Sequence, residues 1–221
     1  MDIDDDDLPI ELAYQCFPGD EQGVFGRRVA YILFNQIESK AQYLVDYHST
    51  IYSPVVPYTI HTMLPEAEPR VTKAAEQMAT LFGAGTICRL DVASGKPDET
   101  AGRLQAALDI ICVRHGIPAM MAEIGTNARF DDRFINIGIR GLENIMIHLR
   151  MITGKIQLPE RQLVLTKRKA IRVNHGGMAV MEAKAGEIVR KGAIIGRVFN
   201  EIFEEVELIE ATEDWYMMGT R

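Results

Sequence analysis

The chain has 221 residues, 47% hydrophobic and 25% charged, with 24 basic against 31 acidic residues for a net charge of −7. That composition excludes a mainly disordered chain and a collagen-like or coiled-coil fibre, and fits one large domain or a medium domain with a small one. The acidic balance argues against nucleic acid as a partner, the lack of a run of ~18 apolar residues against a membrane-spanning helix, and the opening MDIDDDD against a signal peptide.

The first 25 residues read as loop, with a turn signal at Phe17-Pro18-Gly19-Asp20. Residues 27–37 read as a helix, with Val29, Leu33 and Ile37 one helical turn apart. Residues 42–47 read as a short buried strand ending in the polar group Asp46-Tyr47-His48-Ser49-Thr50. A loop through Pro54, Pro57 and His61 follows. Pro69 can open the next helix, which carries Val71, Ala74, Ala75, Met78 and Phe82 on one face and stops at Gly83 and Gly85.

Residues 86–92 fit a strand. Asp98 is a plausible N-cap for a helix reaching His115, with Leu104, Leu108 and Ile111 inward. Residues 119–124 form a second buried strand that ends among Glu123, Thr126 and Asn127. A long helix begins at Asp131 or Asp132, runs to about Met151 and is closed by Gly154. Beyond Gln162 short β-like runs alternate with glycine turns. The expected organisation is a mainly parallel α/β domain over residues 1–158 and a small all-β module over 159–221.

In such sheets ligands bind at the carboxyl ends of strands, where two chemically capable residues stand. His48 reads either as a metal ligand or catalytic imidazole, oriented by Asp46, or as a strand-end residue hydrogen-bonded locally. Glu123 reads either as a general base or acid, or as a carboxylate facing water. No histidine has a glutamate three residues on; Ile51, Leu64, Pro118, Met151 and Met178 stand there, so the local zinc-ligand pair is absent. The basic run Lys167, Arg168, Lys169 and Arg172 reads as a solvated edge. Cys16, Cys88 and Cys112 are odd in number and far apart, which fits buried thiols in a reducing cytoplasm. The stretch from Gly176 to Gly196 has the rhythm of a lipoyl or biotinyl hammerhead, but Lys184 lacks the flanking methionines of an attachment site, so a structural hairpin is expected.

Four segments, in order and at fitting separations, resemble the succinylglutamate desuccinylase/aspartoacylase family of zinc-dependent deacylases. CFPGDEQGVFGRRVAYILFNQI is similar to the segment after that family's DLNR motif, and YLVDYHST to its strand ending in D-L-H-[ST]. MAEIGTNARFDDRFINIGIRGLENIMIHL resembles the segment with the catalytic glutamate, and RVNHGGMAVMEAKAGEIVRKGAIIGRVFN the C-terminal β module. Within the family the chain looks nearer to bacterial N-acyl amino acid and N-acyl diamino acid deacylases than to animal aspartoacylase.

The resemblance implies a zinc-carboxypeptidase-like fold and hydrolysis of an N-acylated amino acid. It makes His48 a zinc ligand, Glu123 the base and Asp46 the residue that orients His48, with Ser49, Thr50, His61 and Arg129 as weaker substrate-binding candidates. Arg27, Arg28 or Arg129 would then meet the substrate carboxylate. The implied partners are a small N-acyl amino acid and a homo-oligomer or a complementing N-terminal segment.

Departures from the pattern are equally specific. The family's first two zinc ligands, in a G-x-H-G-x-E segment, have no counterpart, and the N-terminal strands are expected to be missing. Tyr14 and Gln15 stand where its Asn-Arg pair should precede C-F-P-G, through an insertion near Asp7-Leu8 or loss of the pair. The β module is expected to be unfinished, since the family continues past the segment that ends here at Arg221. These departures predict neither tight zinc nor turnover for the 221 residues alone, and they leave a non-catalytic ligand- or partner-binding relative as the alternative.

Overall fold

The computed structural model describes residues 17–50, 55–91, 107–126 and 130–219. Their helices are α1 (Phe25–Lys40), α2 (Pro69–Phe82), α3 (Leu108–Arg114) and α4 (Asp132–His148). Their strands are β1 (Leu44–Thr50), β2 (Tyr58–Met63), β3 (Thr86–Asp91), β4 (Ala119–Thr126), β5 (Leu163–Leu165), β6 (Met178–Met181), β7 (Ile188–Val189), β8 (Ile194–Phe199), β9 (Glu205–Glu210) and β10 (Trp215–Tyr216). No helix among the described residues is long and apolar enough to cross a membrane.

Local chemistry sets several of these limits. Pro69 occupies the first turn of α2, where its missing N–H costs nothing, and Gly83 closes the helix at φ +73°, a conformation glycine adopts without a Cβ penalty. Asp131 caps α4 by accepting a hydrogen bond from the Arg133 backbone N–H. Where a helix from Asp98 to His115 is expected, α3 begins only at Leu108, after an extended Ala107; Asp98 and Leu104 lie outside the described residues.

The central sheet has the order β1-β4-β2-β3-β5. β1 and β4 are parallel, β2, β3 and β5 are parallel to one another, and β4 meets β2 antiparallel. It is therefore the expected mostly parallel α/β sheet, with one reversal of strand direction inside it. Residues 58–63, expected as loop, form the buried strand β2. Pro57 directly precedes it, where a proline takes no ladder bond away. β5 lies beyond residue 158 yet pairs with β3, so the central sheet extends into the stretch assigned to the small module.

Successive residues of a strand face opposite sides. On one side Ile60, Cys88, Ala119 and Met121 pack with Phe34 of α1 and Ile110 and Ile111 of α3; this is the near face. On the far face Ile87, Met120, Ala122 and Ile124 pack with Met78, Ala79 and Phe82 of α2 and Ile145 of α4. Asn144 of α4 ties this layer to the segment that leads to β5. It donates to the carbonyls of Leu81 (2.9 Å) and Gln157 (2.8 Å) and accepts from the Gln157 N–H (2.9 Å).

Gly141 lets α4 approach α2. A Cβ there would stand 2.6 Å from the ring of Phe82, itself 1% exposed and unable to yield. Gly141→Val is expected to lower unfolding free energy by about 1–3 kcal/mol, read from a urea midpoint that shifts without a change in slope.

β6, β8 and β9 form a three-stranded antiparallel sheet, and β7 pairs with β10. Their own core contains Val189, Ile195, Val198, Ile209 and Met217. This module is fastened to the entry of β2: Val56 N–H donates to the Met218 carbonyl at 2.9 Å, and Val55 bridges Gly219.

Candidate active site

Sheet register assembles the site. His48 in β1 lies beside Glu123 in β4, Glu123 beside Tyr58 in β2, Tyr58 beside Thr86 in β3, and Thr86 beside Leu163 in β5. The next row is Asp46, Met121, Ile60, Cys88 and Leu165. Met121, Ile60 and Cys88 belong to the near-face core, so alternation puts Asp46, His48 and Glu123 on that same face. The reversal between β4 and β2 thus sets the carboxyl end of one strand pair against the amino end of the next three.

His48 Nε2–H donates to Asp46 Oδ1 at 2.9 Å, with the two side chains 32% and 17% exposed. This bond holds the His48 pKa above its ordinary value, burial opposing and the Asp46 charge adding. Asp46 thereby fixes which ring nitrogen stays open, and that nitrogen is Nδ1. Burial pushes the Glu123 carboxyl above the usual carboxylate range; the charge of Asp46 adds to the effect, while His48 and Arg168 counter it. A carboxyl raised in this way is a stronger base than an ordinary carboxylate.

Asp109 is a site residue that the sequence reading passed over. It sits in the first turn of α3, 2% exposed, with no hydrogen-bond partner at Oδ1 among the described residues. Burial pushes its carboxyl up to about 7, the Asp46 charge adding and His48 opposing. The signal was present as one aspartate inside the apolar run Leu108–Val113.

His61 is not brought to this site. It follows Ile60 in β2 and so turns to the far face, under α2, where Thr59 donates to the Ala79 carbonyl at 3.1 Å. His61 is 1% exposed, its pKa lowered by burial, with Nδ1 lacking a hydrogen-bond partner among the described residues. The expected loop histidine facing substrate is therefore replaced by a packed strand histidine. Ser49 is exposed at the end of β1. Thr50 closes β1 in the backbone, and its side chain, like Arg129, lies outside the described residues.

Arg27 and Arg28 are exposed on α1. Among the described residues, the arginine whose charge acts on Glu123 is Arg168, from the run expected to be solvated. Lys167, Lys169 and Arg172 are exposed as expected, but Arg168 is half-buried. Cys88 and Cys112 are buried free thiols, as expected; Cys16 lies outside the described residues.

Catalytic zinc takes three protein ligands and an open position. Among the described residues no three His, Cys, Asp or Glu side chains meet in a way that could hold a metal. His48 offers a single donor atom there, so these residues do not by themselves fit a zinc ion.

No protein-family model matches the chain. Solved structures share its fold. The succinylglutamate desuccinylase/aspartoacylase of Rhodobacter sphaeroides superposes with a TM-score of 0.74 at 22% identity, over 93% of this chain and 60% of that one. The product-bound ectoine utilization protein EutE (DoeB) of Ruegeria pomeroyi gives 0.71 at 22% identity, over 91% of this chain and 60% of that one. Among curated proteins, N-alpha-acetyl-L-2,4-diaminobutyric acid deacetylase of Halomonas elongata is 24% identical over 194 residues, 84% of this chain and 53% of its own length. The chain thus has the fold of these proteins and spans about half the length of the curated relative it matches.

Proposed function

We propose that this chain is an acyl-amino-acid hydrolase of the succinylglutamate desuccinylase/aspartoacylase kind, with Glu123 as its general base. The observation that carries the reading is the side-by-side placement of Glu123 and an Asp46-held His48 at the carboxyl ends of two parallel strands. Open α/β sheets bind their ligands at such ends. The fold shared with desuccinylase structures, and the similarity to a diaminobutyrate deacetylase, support the substrate class.

Glu123, its pKa raised by burial, takes a proton from the attacking water and returns it to the leaving amine. Asp46 holds the His48 ring in one orientation and leaves Nδ1 open. The resemblance assigns zinc to His48. Because the described residues supply no complete ligand set, no step of this reading is routed through the metal.

The test is hydrolysis of N-acetyl-L-2,4-diaminobutyrate and a panel of N-acyl amino acids, with zinc content measured beside turnover. Glu123→Gln is expected to lower turnover about a hundredfold or more while circular dichroism stays unchanged. Undiminished turnover in that variant would remove Glu123 from the mechanism. Ligand binding without turnover in the unaltered chain would favour a non-catalytic relative instead.

A further inference from the structure

Arg168 is the one basic side chain of its run that is drawn into the protein. Its Nε and Nη2 are buried and have no hydrogen-bond partner among the described residues. A buried guanidinium with unpaired donors is costly unless something else completes it. Arginine also presents its donors as a rigid fork that matches a carboxylate in two parallel bonds.

Independent contacts fix where this fork lies. Three residues earlier, Leu165 pairs with Cys88 and packs on the near-face core. One residue later, the Lys169 ammonium stands 5.6 Å over the ring of Trp215. The neighbouring Tyr216 hydroxyl is 3.5 Å from Thr86 Oγ1, in the row that contains Glu123. Arg168 is therefore pinned between the central sheet and the small β module, over the face that carries His48 and Glu123. Consistent with this placement, its charge favours the ionised forms of both Glu123 and Cys88.

We propose that Arg168 binds a carboxylate of the ligand, holding it beside the Glu123 row so that the acyl bond is presented to Glu123. The ligand's identity rests on the hydrolase reading above; the anion site itself rests on the buried, unpaired fork. The carboxylate belongs either to the amino acid or to a dicarboxylic acyl group such as succinyl, which the same fork would recognise.

Titration calorimetry on the full chain tests this with three probes: N-acetyl-L-2,4-diaminobutyrate, its carboxamide, and the N-succinyl derivative of that carboxamide. The unaltered protein is expected to bind a carboxylate-bearing probe about tenfold or more tighter than the N-acetyl carboxamide. If the first probe is favoured, the amino-acid carboxylate is the one held; if the third, the acyl carboxylate.

Arg168→Met, similar in volume, is expected to erase that preference, and Arg168→Lys to restore part of it. Without ligand, Arg168→Met should melt at the same temperature or higher, because it removes a buried unpaired charge. Failure of the unaltered chain to prefer a carboxylate would overturn the proposal. So would a preference that survives in Arg168→Met, above all if that variant melts lower, which would mark Arg168 as structural. Absent hydrolysis with the Arg168-dependent preference intact would strike the hydrolase reading alone.

Discussion

Asp109→Asn is expected to stabilise the protein at pH 8 by about 2–4 kcal/mol, the opposite of what most core substitutions do. The folded Asp109 carboxyl is pushed to about 7 from an ordinary 3.8. Between those values the unfolded chain releases its proton while the folded chain keeps it. The unfolded state therefore binds fewer protons, and stability falls as pH rises from about 4 to about 7, then levels off. At about 1.4 kcal/mol per pH unit, the whole fall approaches 4 kcal/mol. The amide of the variant does not ionise. Urea midpoints at pH 4, 6 and 8 decide the matter. The unaltered protein should lose stability across the series and Asp109→Asn should lose less; parallel curves for the two would refute the assignment.

Asn144→Leu is expected to cost about 3 kcal/mol or more, seen as a melting temperature lower by roughly 6–12 °C. One side chain there completes the Leu81 carbonyl and both polar groups of Gln157. Leucine leaves all three without their partner at a position 1% exposed. Asn144→Asp separates hydrogen bonding from shape. It keeps the acceptor for the Gln157 N–H but turns a carboxylate oxygen against two carbonyls, so it should be no better tolerated. Amide exchange at Gln157 should quicken in Asn144→Leu before global unfolding does. An unchanged exchange rate would show that this segment is held by something else.

Signals within a few residues of an element were legible in the sequence. Pro69 and Gly83 bracket α2, Asp131 caps α4, and the runs around Val45 and Met121 become the paired strands that carry His48 and Glu123. What needed the fold were relations between strands. Residues 58–63 mix polar with apolar, with His61 and Thr62 adjacent, and follow two prolines, which suits a loop. The chain instead buries both faces of that strand, and Thr59 and His61 serve as packing under α2. β5 carries no mark that it joins the central sheet rather than the small module, because parallel pairing is decided by partners distant in sequence. The same limit hid Asp109 and Arg168. Each sits in a run whose ordinary meaning is different, an apolar helix in one case and a solvated basic edge in the other.

The register between β1 and β4 slips immediately after the His48–Glu123 pair, and Thr50 next meets Thr126. Two steps along one strand answer three along the other. The extra step includes Gly125 at φ +102°, where a side chain would be strained and would stand 3.3 Å from Ser49 Oγ. The His48–Glu123 pair is therefore the last row before the regular pleat is interrupted. Upstream of it, a one-residue slip in either strand would turn that strand's side chain to the opposite face of the sheet. Downstream, the slip absorbs differences in length and sequence without moving either of them. One glycine in this way separates the regular part of the strand pair, which holds His48 and Glu123, from the part where length and sequence are free to vary.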